Sequence, residues 1–387
     1  MSALHTSRLS PLPEPAMDLV PPGRKSSRPL RIAMLQRFLP SRSQGGVGHF
    51  TDQLAAQLAH RGHAVTMFSL DPAPAGAPYQ VVRPGPHERV ASGRLGGIFG
   101  FGVWLARQDF SSFDVVHAMG DNHLLRTRTP VVRTLHGSAL GEALHARRLI
   151  TKALFASIYP LELLGIARAT RTASDSAAAM RHFPLVRART IFNGVADAFF
   201  NDGEAKSPDP SILFVGHRLH DRKRAYLLLD HFERIVRPAI PGARLWLVFD
   251  DSVDAPGVRT FRDLPLDELA ALYRQAWIFC LPSSYEGFGR PYAEAMASGT
   301  AVVATPNPGA QEILAGGAFG RVVQAEELGS CLLDLLRDGE ARENLARLGR
   351  ARARDFRWED VACQYEQLYA EAIAETRPRS NPGRQGK

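Results

Sequence analysis

Glu286 and Glu294 stand with seven residues between them in the run Ser283-Ser284-Tyr285-Glu286-Gly287-Phe288-Gly289-Arg290-Pro291-Tyr292-Ala293-Glu294. Gly287 and Gly289 expose backbone beside the first carboxylate. Pro291 suits the first position of a helix, where its missing N–H costs nothing. Free N–H groups near Gly289, Arg290 and Tyr292 would then meet an anion such as a phosphate. On this reading Glu286 lies in the loop and Glu294 in the first helical turns, so each would meet a different part of one ligand. The competing explanation is that Glu294 only complements the helix N-terminus. It has less force for Glu286, which stands among residues that expose backbone.

Two other segments could hold phosphate. Gly45-Gly46-Val47-Gly48 lies between a strand pattern and a helix pattern, where glycine lets backbone approach an anion closely. Its spacing is not that of the dinucleotide fingerprint, and a tight turn without a ligand is the plain alternative. Arg218 and Lys223 share the basic loop Gly216–Arg224. A planar guanidinium and an ammonium can grip a diphosphate together, although most charge runs are merely solvated. Asp250-Asp251 lacks a third ligand nearby and reads as a solvated loop, so no metal is expected.

The elements that must position these residues alternate between short apolar runs and helical stripes. Leu30–Leu35, Val65–Leu70, Asp114–Ala118 and Val131–Leu135 read as strands, with a helix over Val47–Arg61. The rhythm restarts with strands at Ser211–Val215, Arg244–Phe249, Trp277–Leu281 and Ala301–Ala304. Helices are expected at Arg224–Arg237, Leu266–Gln275 and Pro291–Ser298. Such a rhythm implies an α/β chain with two doubly wound parallel sheets and a ligand cleft between them. The expected organisation is a disordered leader (1–28), a first domain (29–200), a linker (201–210) and a second domain (211–357). A helix over 358–375 would cross back, and a disordered basic tail (376–387) would follow.

The chain has 387 residues, 45% of them hydrophobic and 22% charged, a globular balance. No apolar run looks long enough to span a bilayer, and no secretory leader is evident. Three scattered cysteines make neither a disulfide framework nor a zinc site, so a cytoplasmic setting is the expectation. The net charge of +8 suggests a polyanion partner, yet residues 29–375 carry only +2 of it. Without aromatic interleaving or a reader motif, nucleic acid is not the expected partner.

These motifs, in this order, resemble the retaining nucleotide-sugar-dependent glycosyltransferases of the GT-B fold, the glycogen synthase and phosphatidylinositol mannosyltransferase type. Supporting pieces are Leu54-Ala55, Arg61-Gly62-His63-Ala64-Val65, Asp114-Val115-Val116-His117, Thr134-Leu135-His136-Gly137, Asn193-Gly194-Val195 and Leu269-Ala270-Ala271-Leu272-Tyr273. The likeness runs from about Arg31 to about Ala374. It implies that Glu286 binds donor-sugar hydroxyls, helped by the backbone of Gly287, Phe288 and Gly289, with Arg290 beside them. Glu294 would bind the ribose. Arg218 and Lys223 would neutralise the leaving diphosphate, which the amide near Gly46 would also reach. His136 would contact the donor sugar. The family type retains anomeric configuration and works without a metal or other cofactor.

The sequence departs from the family pattern at Arg224, where a glycine usually follows the lysine, at Phe249-Asp250-Asp251 and at Arg262-Asp263. Those departures leave base and sugar identity open. The acceptor, whether a saccharide, a lipid-linked saccharide or a small molecule, should fall to the first domain. Gly96–Leu105 is apolar there, and Ala143–Leu164 mixes Arg147, Arg148 and Lys152 with apolar residues, as a basic amphipathic helix on a membrane would. Bacterial polysaccharide, glycolipid or glycosylated-metabolite synthesis is the expected context. An epimerase or phosphorylase on the same fold, or a non-catalytic binding protein, are the alternatives.

Overall fold

The computed structural model describes residues 28–40, 46–85, 94–145, 148–200, 205–216, 219 and 222–376. The leader up to residue 27, the tail from 377 and residues 201–204 of the expected linker lie outside them.

Among the described residues the first domain holds seven strands: β1 (Arg31–Leu35), β2 (Ala64–Phe68), β3 (Gln80–Val82), β4 (Val115–Ala118), β5 (Val131–Leu135), β6 (Arg171–Ser174) and β7 (Arg189–Thr190). They pair in parallel in the order β3-β2-β1-β4-β5-β6-β7. Its helices are α1 (Gly46–His60), α2 (Arg94–Leu105), α3 (Ala139–His145), α4 (Leu149–Ala167) and α5 (Ala177–Met180). Strand order reverses between β1 and β4, so the loops after those two strands diverge and leave a crevice.

The second domain repeats the plan with β8 (Ser211–Val215), β9 (Arg244–Val248), β10 (Val258–Phe261), β11 (Ile278–Leu281), β12 (Ala301–Ala304) and β13 (Arg321–Val322). Their order is β10-β9-β8-β11-β12-β13, again parallel, with the reversal between β8 and β11. The connecting helix after β8 runs as α6 (Ala225–His231), a π-turn (Phe232–Val236) and α7 (Arg237–Ala239). Then come α8 (Leu266–Gln275), α9 (Arg290–Ala297), α10 (Pro308–Ile313), α11 (Leu328–Arg337) and α12 (Gly339–Ala353). β4, β11 and β12 are buried at every residue. Covered on both faces, they tolerate Val, Ile, Leu and Ala throughout rather than alternation.

The last helix, α13 (Trp358–Thr376), returns to the first domain. Trp358, Val361, Tyr365, Leu368 and Tyr369 join Ile32, Leu54 and Val115 in one core. A Cβ on Gly194 would lie 2.2 Å from the Trp358 indole, which is why glycine stands where the chain leaves the first domain. His117, interior on β4, is bonded by both nitrogens, to Tyr369 and Thr134. Burial, and then the nearby His136, lower its pKa to about 3, so it is a neutral core histidine.

Several expectations change. Ala143–Leu164 is not one basic amphipathic helix: the segment belongs to α3 and α4, which are separate. α4 is apolar all round, and only its Gly165 is buried. By length and composition alone α4 is also apolar enough to cross a membrane, with a mean hydropathy of 1.5, although Lys152, Pro160 and Glu162 interrupt it. In the apolar stretch Gly96–Leu105, Phe101, Trp104 and Leu105 are core residues near Phe68, whereas Phe99 and Val103 are exposed. Pro291 is second in its helix, behind Arg290. Strands β3, β6, β7, β10 and β13 are additional; all but β6 are edge strands, and they are short or polar.

Candidate functional site

The loops after β8 and β11 meet at the switch point of the second sheet. Lys223 lies in the first of them, and its Nζ donates to the Val215 carbonyl at 3.2 Å. Arg218 lies outside the described residues. Arg224, at the position of the expected glycine, takes the left-handed conformation (φ 55°). Its side chain offsets that strain: Nε donates to the Pro282 carbonyl (2.6 Å) and Nη2 to Thr305 Oγ1 (2.8 Å). The basic loop is thereby fastened to the loop that carries Glu286.

Glu286 is 6% exposed and accepts from Ser283 Oγ at 2.8 Å. Among the described residues its Oε2 has no partner. Thr305 and Asn307 both donate to the Ser283 carbonyl, which holds the loop from below. The Gly309 N–H donates to the Glu286 carbonyl at 2.9 Å, and a Cβ on Gly309 would come within 2.8 Å of the Phe288 carbonyl. Gly289 caps α9 at φ 87°, and a Cβ there would meet the Tyr292 ring at 2.6 Å. Gly287 has open space where a Cβ would stand. Phe288 instead packs its ring against Phe192 and Phe356, so only its backbone is available to a ligand.

Glu294 is 7% exposed and already has protein partners on both oxygens, Tyr273 OH at 3.1 Å and Arg290 Nη2 at 3.2 Å. Burial, then the adjacent Glu294, hold the Tyr273 hydroxyl well above its usual pKa, so it stays a donor. Arg290 is partly exposed and is the partner that a ligand could draw away. It also faces the first domain: burial first, then the Arg290 charge, lower the pKa of His49 on α1.

In the first domain, His136 directly follows β5. Its Nδ1–H donates to Asp175 Oδ2 at 3.0 Å, which directs the Nε2 lone pair the other way. Nε2 is buried without a hydrogen-bond partner. Asp175 also accepts from Asn193 and Ser176. Gly46 opens α1, with nothing within 4 Å of where its Cβ would be. Gly48 lets that helix close on the loop after β1, since a Cβ would stand 2.9 Å from the Phe38 carbonyl.

The two halves touch beside the site. Glu312 on α10 accepts the N–H of Ala177 on α5. The Tyr285 hydroxyl, raised chiefly by burial, also feels Glu142 and Asp175 of the first domain and Glu286 beside it. Glu286 and the His136–Asp175 pair therefore border one cleft. Asp175 and Glu312 were not among the residues singled out from sequence, and Ser283 stood in the quoted motif without a role. The polar Ser174-Asp175-Ser176 closing a strand was the available signal for Asp175.

Of the aspartates after β9, Asp251 holds backbone, accepting the Leu219 N–H at 2.7 Å. Among the described residues no cluster of His, Cys, Asp and Glu could hold a metal ion.

Two family models match this chain. "Glycosyltransferase Family 4" matches residues 44–199 and "Glycosyl transferases group 1" matches 209–338. The phosphatidyl-myo-inositol mannosyltransferase of Mycobacterium tuberculosis is 29% identical over 364 residues, covering 84% of this chain and 93% of that protein. The D-inositol 3-phosphate glycosyltransferase of Corynebacterium efficiens is 25% identical, over 89% and 96%. The MMP alpha-(1->4)-mannosyltransferase of Mycolicibacterium hassiacum is 34% identical over 43% of this chain and 42% of that protein. Among solved structures, sucrose-phosphate synthase from Thermosynechococcus elongatus superposes with a TM-score of 0.69 at 22% identity, over 89% of this chain and 100% of the other. Anabaena HepE in complex with UDP and glucose gives 0.67 at 17%, over 88% and 99%. The architecture is GT-B. With one model matching each sheet domain, and relatives aligned along nearly their whole length, the chain belongs to the group 1, or family 4, glycosyltransferases.

Proposed function

We propose that this glycosyltransferase moves a sugar from a nucleotide-sugar donor to an acceptor hydroxyl, with retention of anomeric configuration and without a metal. The observation that carries the reading is the placement of Glu286, Lys223 and the α9 start around the second switch point, opposite His136. Glu286 would take donor-sugar hydroxyls on Oε2, beside the backbone of Gly287 and Gly289. Glu294 would take the ribose once Arg290 moves toward the phosphates. Lys223 and Arg218 would stabilise the charge on the leaving diphosphate in a water-poor cleft, and the α1 start at Gly46 would add its amides. The UDP and glucose bound to the Anabaena structure support a diphosphate donor by analogy of fold.

The anomeric centre becomes oxocarbenium-like as the diphosphate departs. The acceptor attacks on the leaving-group face and gives its proton to the leaving phosphate, so no protein nucleophile is required. His136, held in one tautomer by Asp175, offers Nε2 to a sugar hydroxyl. We place the reaction in the cytoplasm, in polysaccharide, glycolipid or glycosylated-metabolite synthesis. The exposed apolar residues of α4, with Arg148 and Lys152 beside them, favour a peripheral contact with an anionic bilayer.

A thermal-shift screen against nucleoside diphosphates and nucleotide sugars tests the donor. Stabilisation by one base series is expected; none at any concentration rejects the reading. The anomeric configuration of the product, read by NMR, tests retention, and full turnover in EDTA tests the absence of a metal. Flotation with anionic vesicles tests the membrane contact, and protein left at the bottom of the gradient rejects it.

A further inference from the structure

A cavity of about 780 Å3 opens at the switch point of the first sheet and reaches His136 and Gly137. What it admits depends on the glycosyl-transfer reading above and goes a step further, to the class of acceptor. Its walls differ in chemistry. α4 supplies Leu154, Phe155, Ile158 and Leu161, whose spacing places them on one helical face. All four are half-buried, so they offer apolar surface to the cavity.

The opposite wall is polar and mixed in sign. Arg37, after β1, pairs with Asp121, after β4, at 3.4 Å. Arg133 is 4% exposed, donates to Asn122, and keeps a buried Nε without a partner. Glu142 on α3 and Glu162 on α4 itself also line the cavity, as does His123, so among the described residues two guanidiniums meet three carboxyls. His136 adds its unpartnered, buried Nε2. A phosphate only accepts hydrogen bonds and would meet these carboxyls with no surplus of positive charge. Hydroxyls both donate and accept, and satisfy all of these groups.

We propose that the acceptor is amphipathic with an uncharged head: a polyhydroxylated ring that sets one hydroxyl near His136, joined to an apolar aglycone lying along α4. The aglycone has a way out. Leu149 and Ile150 are 81% and 86% exposed, and Leu163 and Leu164 about 40%. Ile150 lies one turn from Leu154 and Leu164 one turn from Leu161, so the apolar surface continues from the cavity wall toward the outside of the helix and gives a long chain a way out. The named relatives act on phosphatidyl-inositol and inositol phosphate, and the balance of charge here sets this chain apart from a phosphorylated head.

The test uses the full chain saturated with its stabilising nucleoside diphosphate. Glucose, hexyl, heptyl and octyl glucoside, inositol and inositol phosphate are titrated by calorimetry, the glucosides below their micellar concentrations. Affinity should rise roughly twofold to fourfold per methylene, with octyl glucoside at least tenfold tighter than glucose. Inositol phosphate should bind no more tightly than inositol. Ile158→Asp and the milder Ile158→Ala should both flatten the alkyl series. A flat series in the wild type, or a tenfold gain from the phosphate, overturns the proposal. Diphosphate stabilisation is read separately: its absence overturns the donor reading, whereas a flat series in a chain that binds diphosphate overturns this proposal alone. Transfer onto the soluble glucosides alone assigns a small aglycone. Transfer also onto the same head carried by a dialkyl lipid in vesicles assigns a membrane lipid. Either supports the amphipathic class.

Discussion

Both carboxylate oxygens of Glu312 accept the backbone N–H of Ala177, at 2.8 and 3.0 Å, and so tie α10 of the second domain to α5 of the first. The same helix α10 begins beside Gly309, which bonds the Glu286 carbonyl. One short helix therefore touches both the expected donor loop and the first domain. Glu312→Ala leaves the Ala177 amide without its acceptor, at a cost of about 1–2 kcal/mol to the closed arrangement. A larger radius of gyration by small-angle scattering and a several-fold higher donor KM are expected. An unchanged KM would mean that the contact plays no part in closure.

Glu312 also carries a pH signature. Burial raises its pKa above 4.5, and the amides of Ala177 and Ala178 oppose that rise only in part. The folded form then holds the proton more tightly than the unfolded form. Stability drawn from this group is present below pH 4.5 and declines as pH rises through the raised value. Glu312→Gln should remove that slope, as scanning calorimetry from pH 4 to 7 would show.

Glu286→Ala and Lys223→Ala should each lower kcat/KM by roughly 100-fold or more. Both residues lie in loops braced by other side chains, so melting temperatures should stay within a few degrees. Turnover near the wild-type rate in either variant would reject the assignment of the site.

Arg224 separates strain from fastening. Arg224→Ala keeps a left-handed residue and loses the bonds to Pro282 and Thr305. Arg224→Gly loses the same bonds but relaxes the backbone, so it should be more stable than the alanine variant by about 1 kcal/mol. Both should raise the donor KM, because Lys223 is the neighbouring residue. Urea unfolding and donor titration measure the two effects independently.

The return of α13 to the first domain rests partly on Glu366, which takes Arg61 at 2.6 Å and His63 at 2.9 Å. Burial alone would raise its pKa. The bonds and charges of His63 and Arg61 outweigh burial and lower it to about 2. This stabilisation is complete above pH 4.5 and is lost as pH falls toward 2. Glu366→Gln should cost about 2–3 kcal/mol at pH 7. The gap from wild type should close near pH 2, as measured by chemical unfolding across that range.

The sequence by itself determined the two sheets and the loops at their strand ends, and it named the candidates for the site. Runs such as Ile278–Leu281 and Ala301–Ala304 are apolar because both faces are covered, and that local pattern survives without knowledge of neighbours. Glu286, Glu294, Lys223 and His136 could be named as candidates because each stands after a strand pattern or before a helix pattern, and the structure keeps them there. Only the tertiary structure decided what touches them. Asp175 meets His136 across 39 positions, and Glu312 meets Ala177 across 135, separations that no periodicity encodes. The tertiary fold likewise put the indole of Trp358 against Gly194 and turned the face of α4 toward a cavity. α4 has no single apolar face, so its sequence alone holds little signal of which side looks inward; contact with α3 and with the turn at Asn122–Leu124 after β4 supplies it.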